Sequence, residues 1–153
     1  MMNREKKTTL LLAGFAAVLL AVMVCALFLR TWIGLPSGYT GAPDPSFVVD
    51  QQGTYSLAVP GFVVTVRNEG DRSVEFLNYH LEVLRGGRWY RLKQTIPEER
   101  VLEVPGSAPG GKTEIGITLE WLDREPKPGS YRAVFPIGPN KDYFAVYFEL
   151  TEP

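Results

Sequence analysis

The chain reads as an all-β sandwich of roughly seven to nine strands, carried behind a single N-terminal transmembrane helix. Three observations predict this. Residues 8–29 contain no charge. Beyond residue 45, short runs of Val, Ile, Phe and Tyr alternate with Gly, Pro and Asn turns, and no helical apolar period develops. Gly86-Gly87 lies between two strand-like runs at the spacing of a two-residue hairpin.

The uncharged run, TTLLLAGFAAVLLAVMVCALFL, is 22 residues long. As a helix it would extend roughly 33 Å, enough for a hydrocarbon core of about 30 Å. Arg4, Lys6 and Lys7 precede it against one acid, Glu5, and Arg30 is the next basic residue until Arg67. Basic residues flanking a span stay on the cytoplasmic side. The expected topology is a short cytoplasmic segment 1–7, a signal anchor 8–29 contacting the lipid bilayer, and residues 31–153 outside the cytoplasm. Trp32 falls where an indole suits the lipid–water interface. A cleaved signal peptide is the competing reading, but its apolar stretch is usually about 7–15 residues and no clear A-x-A site follows. A lipoprotein signal fits poorly, because Val24 precedes Cys25.

Cys25, the single cysteine, lies inside that run. The exported part therefore contains no disulfide and must depend on its packed core. It carries 12 basic and 16 acidic residues, a formal charge of −4. That balance argues against nucleic acid or an anionic lipid surface as the main partner. Residues 34–45, GLPSGYTGAPDP, have the composition of a spacer. The expected linker is 30–45 and the domain 46–153.

The strands are expected at 46–49, 54–59, 62–67, 74–84, 88–93, 101–104, 113–119, 131–135 and 143–150. The first two are expected at sheet edges. Phe62, Val64 and Val66 share one face, as do Ile115, Ile117 and Leu119, and Phe144, Val146, Phe148 and Leu150. A two-residue Gly86-Gly87 turn places Arg85 opposite Arg88, Leu84 opposite Trp89, Val83 opposite Tyr90, Glu82 opposite Arg91 and Leu81 opposite Leu92. Leu81, Val83, Tyr90 and Leu92 then face the core. Glu82 and Arg91 are expected to pair on the outer face beside Leu84 and Trp89. That outer pair is either an exposed binding patch or a surface covered by another segment.

These residues resemble a known family. The strand ending Val66-Arg67-Asn68-Glu69-Gly70, the hairpin from Leu81 to Tyr90, and Pro128-Gly129-Ser130-Tyr131-Arg132 are similar to the bacterial Ig-like domain family of exported or membrane-anchored cell-envelope proteins in Gram-positive bacteria. The resemblance covers about residues 46–151. It implies an Ig-like Greek-key sandwich and a cell-surface setting, and it carries no catalytic residue. Tyr131, after a Pro-Gly turn, fits a structural tyrosine corner. Ala133 stands where antibody-type domains place a second cysteine.

The inventory for chemistry is poor. His80 is the only histidine, and acid–base catalysis needs partners for it. It is expected on the outer face opposite Lys93, as a surface or pairing residue. No serine has a G-x-S-x-G setting. Residues 106–113, GSAPGGKT, satisfy the letters of a phosphate loop, but a strand pattern follows where a helix is required. No nucleotide, metal or other cofactor is expected. Asp123 and Glu125 read as a solvated loop without calcium-site spacing.

The expected function is a non-enzymatic, membrane-anchored module that binds an envelope protein or peptide. Its candidate surfaces are Leu84 and Trp89 with Arg88, the turn at 68–72, and the loop 120–127, where Trp121 either anchors a partner or plugs the sandwich. The alternatives are a protease inhibitor presenting residues 96–100 as a rigid loop and, remotely, an unrecognised hydrolase.

Overall fold

The computed structural model describes residues 14–27, 34–50, 53–76, 78–97, 106–137 and 142–153. Residues 14–27 are helical, with side chains such as Phe15 and Leu20 exposed. Among the described residues no helix is long and apolar enough to cross a membrane. The rest of the run 8–29 lies outside the described residues.

The nine strands are β1 (Leu35–Pro36), β2 (Phe47–Val49), β3 (Thr54–Ser56), β4 (Gly61–Asn68), β5 (His80–Arg85), β6 (Arg88–Arg91), β7 (Lys112–Thr118), β8 (Gly129–Pro136) and β9 (Tyr143–Thr151). They form a three-stranded sheet, β2-β4-β7, and a six-stranded sheet, β1-β6-β5-β8-β9-β3. The chain changes sheet at every step from β1 to β5, and again between β6 and β7 and between β7 and β8. Nine strands in two sheets, exchanged by the chain in this way, are consistent with an Ig-like β-sandwich. β2 and β3 lie at sheet edges, as expected, and β3 runs parallel to β9.

Alternation explains the core. On β4, Val64 and Val66 point inward; on β7, Ile115 and Ile117 do. They meet Leu81, Val83, Ala133, Phe135, Phe144, Val146, Phe148 and Leu150 of the larger sheet. The hairpin register is the expected one from Glu82↔Arg91 to Arg85↔Arg88, and Leu92 N–H donates to Leu81 O at 2.8 Å. Gly86 and Gly87 have φ of 54° and 75°. A β-carbon is disfavoured there, and both angles suit a type I′ turn.

The run 74–84 is a strand only from His80. Val74 makes a lone bridge to Ser107. The reason is topological: this stretch carries the chain from one sheet to the other. Phe76 and Tyr79 are still buried there. Phe76 packs on Phe47 and Phe144, and Tyr79 Oη accepts a hydrogen bond from Thr118 N–H at 2.8 Å. Apolar spacing reported burial correctly but could not separate a strand from a crossing. β3 likewise stops at Ser56, where a turn leads to Pro60. Residues 101–104 lie outside the described residues.

Gly61 opens β4 where two backbones approach closely. A β-carbon on it would stand 2.5 Å from Ile117 O. Gly61→Ala is expected to cost about 1–3 kcal/mol by forcing β4 and β7 apart. A thermal melt that matches the wild type would contradict this.

Candidate functional site: a strapped face of the large sheet

The outward side of the six-stranded sheet carries His80 and Glu82 from β5, Trp89 and Arg91 from β6, Arg132 and Val134 from β8, and Tyr143, Ala145 and Tyr147 from β9. Most of this surface is dry. Glu82 is 0% exposed, Arg132 3% and His80 5%. Val134, Tyr143 and Ala145 form a second buried cluster against Tyr39 and Tyr147.

Glu82 is opposite Arg91 on one side and Arg132 on the other. The expected Glu82–Arg91 pair does not form, and the structure corrects it. Arg132 donates from Nε to Glu82 Oε2 at 2.7 Å, and its Nη2 lies 2.6 Å from the same oxygen as an ion pair. His80 Nε2 lies 3.1 Å from Glu82 Oε1. β8 is central in the sheet, so Arg132 is buried and needs a counter-charge; Arg91 lies near the rim and remains exposed to water. His80 is opposite Val134 and is a buried pairing residue.

The cover over this cluster comes from residues 37–44, which composition alone presents as spacer. They are folded against the sheet. Ser37 N–H donates to Trp89 O at 2.9 Å, and Asp44 N–H to Tyr143 O at 2.7 Å. Arg132 Nη2 donates to Ser37 Oγ at 3.2 Å and to Tyr39 O at 2.9 Å. Tyr143 Oη donates to Gly41 O at 2.5 Å. The Tyr39 ring packs on His80 and Tyr143, with centroids 5.3 and 5.0 Å away. The glycines and prolines let the chain follow the face without a regular strand.

Burial pushes the Glu82 carboxyl up, but hydrogen bonds from His80, Ser37 and Arg132 outweigh it and hold Glu82 below its ordinary value. Burial lowers Arg132, yet its bonds and charge contact with Glu82 leave it raised. A carboxyl depressed on folding stabilises above its unfolded value and loses that contribution as pH falls through the folded one. Stability is therefore expected to hold down to the ordinary glutamate range near 4.3 and to drop below it. Urea midpoints against pH would read this. Glu82→Gln should flatten that acid limb, and an unchanged limb would point to another carboxylate.

Leu84, Arg88 and Trp89 lie together at the β5–β6 hairpin, with Leu84 opposite Trp89, and Trp121 follows β7. Leu84 is 37% exposed at the hairpin end and Arg88 is exposed opposite Arg85. Trp89 is half-buried, with the Arg132 guanidinium 4.6 Å from its ring centroid and Tyr147 at 5.8 Å. A cation over an indole face is attractive, so Trp89 belongs to the covered cluster more than to a patch with Leu84. Trp121 is half-buried in the segment after β7, and its carbonyl accepts from Thr95 N–H at 2.7 Å. Tyr131 Oη donates to Lys127 O at 2.6 Å and accepts from Lys127 N–H at 3.1 Å. Asn68 is buried and closes the 68–72 turn with bonds to Arg72 O, Ser107 O and Gly70 N–H. Of the loop 96–100, residues 98–100 lie outside the described residues.

In the phosphate-loop-like stretch, Lys112 begins β7 and its Nζ is 3.6 Å from Asp50. No helix N-terminus is available there. Asp123 is held by Lys93 and Thr95. Among the described residues, no group of three or more His, Cys, Asp or Glu could hold a metal ion.

A family model for the bacterial Ig-like domain matches residues 47–149. The chain belongs to the bacterial Ig-like domain family. Members of this family are typically non-catalytic modules, and the two-sheet architecture agrees with the match. No curated protein matches the chain. The covering residues 37–44 precede the matched region, yet they pack onto its central strands.

Proposed function

We propose that this protein is an envelope interaction module: an Ig-like domain held at the outer side of a membrane by residues 8–29, where it binds a protein or peptide. The reading is carried by one combination. A family domain of the extracellular interaction type follows an uncharged run of 22 residues with basic residues before it. The acidic balance of the exported part favours a protein surface over a polyanion.

Two measurements test it together. Full-length protein should sediment with membranes, and protease added to intact cells should remove the domain while sparing the N-terminus. Crosslinking followed by pull-down should enrich an envelope protein over a chain truncated after residue 33. A domain left in the soluble fraction, or protected from external protease, would remove the location. No enrichment over the truncated chain would remove the binding role.

A further inference from the structure

We propose that the outer face of the six-stranded sheet is a peptide-binding surface, occupied in cis by residues 37–44 as a detachable strap. The partner it fits is an extended peptide that repeats the strap's contacts: an aromatic ring over His80, and backbone carbonyls for Arg132 and Tyr143. This deepens the binding-module reading and rests on it.

The strap is bound as a ligand peptide would be. It meets the face through main-chain groups, Ser37 N–H, Tyr39 O, Gly41 O and Asp44 N–H, through the Ser37 hydroxyl on Arg132 and Glu82, and through one inserted ring, Tyr39. It forms no ladder with β8 or β9, whose neighbours are already taken. Gly38, Thr40, Gly41 and Ala42 are exposed. A segment with so little burial opens at lower free energy than the strands beneath it.

The face keeps its internal pairing when the strap leaves. Arg132 retains its Nε hydrogen bond and its Nη2 ion-pair contact with Glu82, and His80 retains its own contact. What becomes unsatisfied is what a peptide supplies: acceptors for Arg132 Nη2 and Tyr143 Oη, donors for Trp89 O and Tyr143 O, and a hydroxyl for Glu82 in place of Ser37. The ring of Tyr39 leaves a space against His80 and Tyr143 that an aromatic side chain fills. Specificity then lies in that ring position, and affinity in the charged donor of Arg132.

The test uses the full chain in detergent micelles or lipid discs. Hydrogen exchange should show the amides of Ser37 and Asp44 opening at least about tenfold faster than those of β8 and β9. A fluorescent peptide of sequence PSGYTGAPDPS should bind the Tyr39→Ala chain and be excluded from the wild type. The same peptide with alanine for its tyrosine should bind at least about tenfold more weakly. If Tyr39→Ala disturbs the fold, Ser37→Ala, which removes one acceptor from Arg132, gives the same comparison. Strap amides that exchange in step with β8 and β9 would overturn the proposal. So would a folded strap variant that ignores the peptide. A membrane partner captured equally by wild-type and Tyr39→Ala chains would leave the binding module standing and remove this face as its site.

Discussion

Arg132→Ala is expected to lower the unfolding free energy by about 3–5 kcal/mol, because it leaves Glu82 buried without its counter-charge. Glu82 is 0% exposed, and Arg132 meets its Oε2 with one hydrogen bond from Nε and an ion-pair contact from Nη2. After the substitution only His80 faces the carboxylate among its side-chain partners in the sheet, and the strap loses both acceptances from Nη2. The measurement is equilibrium urea unfolding followed by tryptophan fluorescence. It separates two accounts of the pair. If the ion pair itself held the domain together, replacing both partners would cost as much as replacing one. Burying two charges is expensive, however, and their attraction only about repays it. The double variant Glu82→Leu with Arg132→Met is therefore expected to recover most of the loss. A double variant as unstable as Arg132→Ala would show that the pair makes a large net contribution.

The same pair shows where sequence reading reached its limit. The Gly86-Gly87 turn set the register, and the register correctly placed Glu82 on the outward side with Arg91 across from it. Pairing along one hairpin is a local fact. The choice between Arg91 and Arg132 depends on which strand lies central in the sheet, and that is set by the distant β5–β8 contact. The cover was similarly non-local. GLPSGYTGAPDP has no apolar period, so its composition reads as spacer. A signal did exist in β9. Tyr143, Ala145 and Tyr147 alternate with Phe144, Val146 and Phe148, so the strand is apolar on both faces. Such a strand is covered on both sides. Something had to lie over the outer face, and Tyr39 is the aromatic that reaches it. Tyr131 and the inward faces of β4, β7 and β9 needed only turn chemistry and period-two spacing, which are local.

The inward face of that doubly covered strand sets the second large effect. Phe144→Ala is expected to cost about 3–5 kcal/mol from lost burial and the cavity left behind. Phe144 is 1% exposed and lies between the sheets. Its ring stacks on Phe135 at 4.6 Å with an interplanar angle of 4°, and on Phe47 at 5.0 Å. Phe76 meets it at 4.9 Å. Phe47 belongs to the three-stranded sheet, Phe135 to β8, and Phe76 to the crossing between them. One ring therefore joins both sheets and the β4–β5 connection between them. Truncation removes three aromatic contacts, each worth about 0.5–1.5 kcal/mol beyond area. The rigid strands around it can close only part of the gap. Phe144→Leu should recover more than half of the loss, because it refills most of the volume. Urea midpoints for the two variants decide it. Near-equal losses would mean that ring geometry, not filled volume, holds the sheets together. A loss below about 1 kcal/mol for alanine would mean the sandwich collapses around the site, contrary to a core packed at native density.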